Sequence, residues 1–196
     1  AADIIKHLVA SIDGFDATRV DDLIVGNAIP EAEQGMQMGR MISLLALPVG
    51  VPGMIINRYC GSGVEAIHLA CARIHAGTAD CIIAGGTESM SLVPMLGYKP
   101  ALNWKIAKDN PDYYLNMGLT AEELAIEYKI SKEEADQFSV ESHQKAAKAI
   151  ADGKFKDEIV PIKVEEVFVG PDGKRKTREF VVDTDECVRA DTTLEG

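Results

Sequence analysis

No run of apolar residues in this chain approaches the length of a membrane span, and no basic segment leading into an apolar core marks a leader. Basic residues are scarce, with 20 Lys and Arg against 31 Asp and Glu and a formal net charge of −11. That balance argues against nucleic acid as a bulk partner, and any site for an anionic ligand must be assembled locally. Cysteine is sparse as well. Cys60, Cys71, Cys81 and Cys187 show neither metal-pair spacing nor a disulfide framework, so no metal site is expected and a reducing compartment fits. Tryptophan occurs once, at Trp104, and there is no internal repeat or low-complexity segment. What remains is an ordinary globular composition, 46% hydrophobic and 26% charged over 196 residues, enough for one good core or two small domains.

The apolar pattern places the elements in order. Ile4, Ile5, Leu8, Val9 and Ile12 predict an amphipathic helix that closes at Asp13-Gly14. Asp22 to Gly26 reads as a short strand, and Pro30 to Gly35 as a solvated polar connection carrying Glu31, Glu33 and Gln34. Met36, Met41, Leu44 and Leu45 predict a second helix ending near Pro48, with Met36, Met38 and Met41 as packing residues. Met54-Ile55-Ile56 suits a buried strand. Val64, Ile67, Cys71 and Ile74, spaced by three and four, then mark one face of a helix capped at Gly77. Cys81 to Ala84 gives a further strand, and Cys71 and Cys81 read as core. Alternation of helix and strand implies an α/β fold, a mainly parallel sheet with helices on both faces. After Ser91 the periodicity lapses. Thr120-Ala121-Glu122-Glu123 and Ser131-Lys132-Glu133-Glu134 predict two capped helices, and Val164–Val169 with Lys176–Val182 two strands about a Gly-Pro-Asp-Gly turn.

The chemistry concentrates at Asn57-Arg58-Tyr59-Cys60-Gly61-Ser62-Gly63, where strand gives way to helix. This setting predicts Cys60 in the first helical turn, where free amides and the helix dipole stabilise a thiolate and lower its pKa. Gly61 and Gly63 leave room for a large substrate to reach the sulfur. An activated nucleophile is one reading, a buried structural cysteine the other.

Those seven residues, together with Ala84-Gly85-Gly86-Thr87-Glu88-Ser89-Met90-Ser91, resemble the nucleophile region of the thiolases, which make or break 3-ketoacyl-CoA thioesters. The resemblance runs along nearly the whole chain and is nearest to the degradative 3-ketoacyl-CoA thiolases. It implies residues 1–90 as an N-terminal core half lacking its first strand, and 91–196 as an incomplete inserted α+β loop domain that covers the active site and binds CoA. It implies Cys60 as the nucleophile, its backbone N–H as an oxyanion donor, and CoA as a substrate with no separate cofactor. Arg189, within Cys187-Val188-Arg189-Ala190-Asp191, matches a position at the nucleotide end of CoA. Met117 matches one beside the pantetheine; a solvated arginine and a core methionine are the plain alternatives. Asn116 stands where many biosynthetic members have His.

The resemblance also implies what is missing. In thiolases the activating histidine, a second acid/base cysteine and a water-positioning asparagine lie in the C-terminal half, and none of His7, His68, His75, His143, Cys71, Cys81 or Cys187 matches them. The chain is therefore expected to be an inactive portion. Three readings follow: a β-oxidation thiolase portion, a biosynthetic acetoacetyl-CoA thiolase, and a non-catalytic thiolase-fold binding protein. A homodimer or homotetramer, with possible membership of a β-oxidation complex, and a cytoplasmic location (mitochondrial or peroxisomal as the alternative) complete the expectations.

Overall fold

A computed structural model describes all residues, Ala1–Gly196, as two compact units, Ala1–Ala101 and Leu102–Gly196. The first is built on strand β1 (Asp22–Gly26), whose residues are all buried. It pairs in parallel with β2 (Gly53–Ile56) on one side and β3 (Ile82–Gly86) on the other. The strand order is thus β2-β1-β3. A central parallel strand has no solvated face, which is why Leu23-Ile24-Val25 is uninterrupted apolar sequence. Alternation still divides it. Ile24 packs with Ala66 and Ala70 on one side of the sheet; Leu23 and Val25 pack with Ile5, Val20, Ile42, Leu47 and Val51 on the other. Each Val, Leu or Ile among them contributes roughly 1.5–3 kcal/mol by leaving water.

Helices α1 (Ala2–Ala10) and α2 (Met38–Ala46) supply the second of these layers and α3 (Ser62–His75) the first. The α/β expectation of a parallel sheet covered on both faces is met. The helix faces differ from their apolar periodicity, however. Helix α2 starts at Met38 and buries Gly39, Ile42 and Ser43, while Met36 is 91% exposed and Met41, Leu44 and Leu45 are exposed too. The reason is close approach. A Cβ on Gly39 would lie 2.4 Å from the Met54 carbonyl oxygen, so only a bare backbone can rest there. Helix α3 likewise meets the sheet through Ser62, Ala66 and Ala70, and turns Val64 (73% exposed), Ile67, Cys71 and Ile74 outward. Cys71 is accordingly not a core residue; Cys81 packs at the margin of the core.

Polar groups fasten the strand starts. Asp22 is buried and ion-pairs with Arg73 of α3, its other oxygen accepting the Leu23 amide at 2.9 Å. Asp21 accepts the amides of Asp80 at 2.6 Å and Cys81 at 3.0 Å, tying the entry of β1 to that of β3. These amide donors hold its carboxyl below the ordinary carboxylate value, since they favour the charged form. A depressed folded-state pKa stabilises fully above the unfolded value, and that contribution fades as pH falls through the folded one. Asp21→Asn should therefore melt below the parent at neutral pH. The gap in melting temperature should shrink between about pH 5 and about pH 3. A gap that widens on acidification would refute the assignment.

The second unit contains α4 (Trp104–Asp109), α5 (Met117–Tyr128), α6 (Lys132–Ala151) and an antiparallel hairpin of β4 (Ile162–Val169) with β5 (Arg175–Val182). The capping box at Ser131 and Glu134 is formed as expected and starts α6. The one at Thr120 is not. Helix α5 begins a turn earlier, because the Asn116 side chain accepts the Leu119 amide at 2.9 Å, and Thr120 Oγ1 donates to the Asn116 carbonyl. In the hairpin, Arg178 pairs with Glu166 directly across the register and lies over the Phe180 ring. No helix is long and apolar enough to cross a membrane.

Candidate active site

The three parallel strands end together, at Gly26, Ile56 and Gly86, and the segments that follow them are cross-tied. Asn27 donates its Nδ2 to the Thr87 carbonyl at 2.9 Å. The Glu88 carboxylate accepts the Ala28 amide at 2.6 Å, the Ile29 amide at 3.3 Å and Gln34 Nε2 at 2.8 Å. Gln34 Oε1 in turn accepts the Ser89 amide. Gln34 is 3% exposed, so the connection after β1 is anchored by one buried side chain, while Pro30, Ala32 and Glu33 are solvated as its composition suggests. Farther along, Glu31 accepts the Tyr98 amide at 2.6 Å, which places residues after Ser91 within the first unit. Sequence reasoning quoted Glu88 only as part of a motif and missed its role. A lone carboxylate in a polar stretch carries no period to reveal it.

Cys60 lies in the short passage from β2 to α3. It is exposed, and it precedes the helix rather than belonging to its first turn: Gly61 is the N-cap and Ser62 the first helical residue. The passage is fixed by its neighbours. Asn57 Oδ1 accepts the Tyr59 amide at 2.8 Å, and Asn57 Nδ2 donates to the Ala28 carbonyl at 2.8 Å. Ser62 Oγ accepts the Arg58 amide at 2.9 Å and donates to the Tyr59 carbonyl at 2.5 Å. The Gly61 amide donates to the Arg58 carbonyl at 3.0 Å. None of these bonds uses the Cys60 amide or its sulfur. On its outer side Arg58 pairs with Glu65 at 3.0 Å.

Beneath the turn, Gly26 lets the start of α3 settle on the sheet. A Cβ there would fall 2.5 Å from the Ser62 carbonyl carbon and 2.6 Å from the Gly63 nitrogen. The thiol is thus held at the carboxyl end of a parallel sheet, where such folds place their ligands, with the helix amides ahead of it.

The other two candidate residues belong to the second unit. Met117 opens α5 and is 68% exposed, so it is not the core methionine that was its plain alternative. Arg189 is exposed. Its amide donates to His143 Nδ1 at 3.1 Å and its carbonyl accepts from Thr192, so a turn docks against α6 and leaves the guanidinium out of every ion pair in the chain. His143 thus tethers this turn to α6. His68 is exposed beside Glu65 on α3, within 3.9 Å.

Comparison with known proteins gives a consistent answer. The chain is 48% identical to a 3-ketoacyl-CoA thiolase of Bacillus subtilis, over 97% of its own length and 49% of that protein's. It is 41% identical to an acetyl-CoA acetyltransferase of Pseudomonas aeruginosa, over all of the chain and 50% of that protein. The crystal structure of the Bacillus anthracis acetyl-CoA acetyltransferase superposes with a TM-score of 0.77 at 32% identity, covering 97% of this chain and 49% of that one. The chain therefore spans about half the length of the relatives it matches. The family described as the thiolase N-terminal domain matches residues 1–196, and with the sheet, the turn and the relatives in agreement, this chain belongs to the thiolases through that domain.

Proposed function

We propose that this chain carries the nucleophile of a thiolase that cleaves 3-ketoacyl-CoA with CoA, releasing acetyl-CoA and a shortened acyl-CoA, as in fatty-acid β-oxidation. The observation that supports it best is the exposed Cys60 between β2 and α3, in a turn held by bonds that leave its sulfur unengaged. In the reaction the Cys60 thiolate adds to the ketone carbon. The bond between the second and third carbons breaks, and the departing acetyl-CoA carbanion takes a proton. The acyl group stays on sulfur as a thioester until the thiol of CoA attacks it and frees Cys60. A cysteine suits this sequence because its thioester remains reactive toward a second thiol. The Cys60 N–H is the group within the turn suited to hold the oxyanion.

Arg189 and Met117 serve CoA in this reading, the guanidinium at the phosphates and the thioether beside the pantetheine. CoA is a substrate, and no separate cofactor or metal takes part. The proton donor and the histidine that activates the thiol belong to the C-terminal half of such enzymes, so the isolated chain is inactive. A homodimer or homotetramer in the cytoplasm completes the proposal. The degradative route is preferred over biosynthetic condensation because Asn116 replaces the His of many condensing enzymes. Its side chain caps α5 here.

Two measurements test this. Iodoacetamide at mildly acid pH should alkylate Cys60 at least ~10-fold faster than the exposed Cys71 and Cys187, as expected of an activated thiol. Equal rates would favour a non-catalytic binding protein. Acetoacetyl-CoA and longer 3-ketoacyl-CoA should both survive incubation with the isolated chain and CoA. Measurable thiolysis would contradict the inactive-portion reading.

A further inference from the structure

We propose that Asn57 and Ser62 are positioning residues that hold the Cys60 turn in a strained backbone conformation and so keep the thiol presented; this rests on the reading of Cys60 as nucleophile. The strain is at Tyr59, whose φ is +46°. Residues with a Cβ avoid that region, and where one occupies it the surroundings must impose it. Tyr59 is exposed, so packing of its ring does not.

Hydrogen bonds on both sides do. Asn57 Oδ1 takes the Tyr59 amide, and Ser62 Oγ takes the Tyr59 carbonyl while accepting from the Arg58 amide. Each peptide group flanking Tyr59 Cα is therefore gripped by a side chain. Both grips are themselves anchored. Ser62 is 4% exposed at the start of α3, directly over Gly26. Asn57 reaches across to the Ala28 carbonyl, whose residue is held in turn by Glu88. The nucleophile turn is thereby coupled to the loop after β1, across 29 residues of sequence. A tyrosine relaxed to negative φ would swing the following Cys60 away from this setting. Neither Asn57 nor Ser62 touches a reacting atom; each acts through the backbone of Tyr59.

The test measures the iodoacetamide rate at Cys60 from about pH 5 to about pH 9, with Cys71 on α3 as the reference thiol in the same molecule. Asn57→Ala and Ser62→Ala should each slow Cys60 about tenfold, with Cys71 unchanged. Asn57→Ser, which restores an acceptor for the Tyr59 amide, should recover part of the rate. Adding Tyr59→Gly to Ser62→Ala should recover most of it, because glycine adopts this φ without the lock.

Asn57 is exposed, so its variants provide folded protein if Ser62→Ala does not. An unchanged Cys60 rate in Asn57→Ala, or failure of Tyr59→Gly to restore Ser62→Ala, overturns the inference while leaving Cys60 as nucleophile. A parent Cys60 no faster than Cys71 removes the nucleophile reading, and this inference with it.

Discussion

Gly26→Ala should lower the stability of the first unit by about 3 kcal/mol, the upper part of the usual range for overpacking a tight interior. The added methyl would sit 2.5, 2.6 and 2.7 Å from the Ser62 carbonyl carbon, the Gly63 nitrogen and the Ser62 oxygen. All three are backbone atoms in the first turn of a helix, so no side chain can rotate aside. Relief requires moving the N-terminus of α3 off the central strand, which breaks the layer formed by Ile24, Ala66 and Ala70. It also carries the Cys60 turn with it. A urea titration should show the midpoint fall, and alkylation of Cys60 should lose its selectivity over Cys71. The control is Gly63→Ala, on the helix side of the same contact, where a Cβ meets nothing within 4 Å. That change should be neutral or stabilise by up to about 1 kcal/mol, since alanine favours helix over glycine. If both variants lose stability alike, close approach is not what selects Gly26.

The contrast bears on function. Gly63 weakens the helix, and a Cβ there would meet nothing within 4 Å in this chain. Open space over a glycine next to Ser62 suits a group that approaches from outside, which is what the proposed acyl transfer needs.

How far the sequence revealed this arrangement differs from element to element. The strands were legible because Leu23-Ile24-Val25 and Met54-Ile55-Ile56 are apolar runs too short for helices and bounded by turn residues. The cysteine turn was legible from Cys-Gly-Ser-Gly at the junction of two periodicities. The periodicity predicts helix α3 but not its orientation. Apolar spacing picked out Val64, Ile67, Cys71 and Ile74, whereas the sheet is met by Ser62, Ala66 and Ala70. Periodicity marks an apolar face but not which face meets the sheet: here the start of α3 rests on Gly26, and Ala66 and Ala70 pack against Ile24. The bonds of Gln34 and Glu88 were illegible for a different reason. They join residues 54 to 60 apart through side chains in polar stretches, with no local pattern to mark them. Met117 and Arg189 came from resemblance alone, because one exposed methionine and one exposed arginine carry no spacing that singles them out.

Cys60→Ala should abolish acyl transfer while leaving the fold intact, and the separation of these two effects is the sharpest check on the proposal. Cys60 is exposed, sits outside the hydrophobic clusters, and contributes no side-chain hydrogen bond to its turn. Its removal should change stability by no more than about 0.5 kcal/mol, the usual bound for such surface positions. Chemistry has no such slack. Both halves of the reaction pass through the sulfur, first as the attacking atom and then as the thioester, and alanine offers nothing in either role. Loss of a nucleophile that acts in concert with other groups costs on the order of 10⁴-fold or more in turnover.

The measurement pairs this chain with the C-terminal half of a thiolase, where the proposed acid and base lie. It follows acetoacetyl-CoA cleavage together with the mass of one acyl group on the Cys60 peptide. Cys71→Ala, altering an exposed cysteine on α3, should retain both signals. An acyl adduct that persists on the Cys60→Ala chain, or moves to Cys71, would show that the sulfur between β2 and α3 is not the nucleophile.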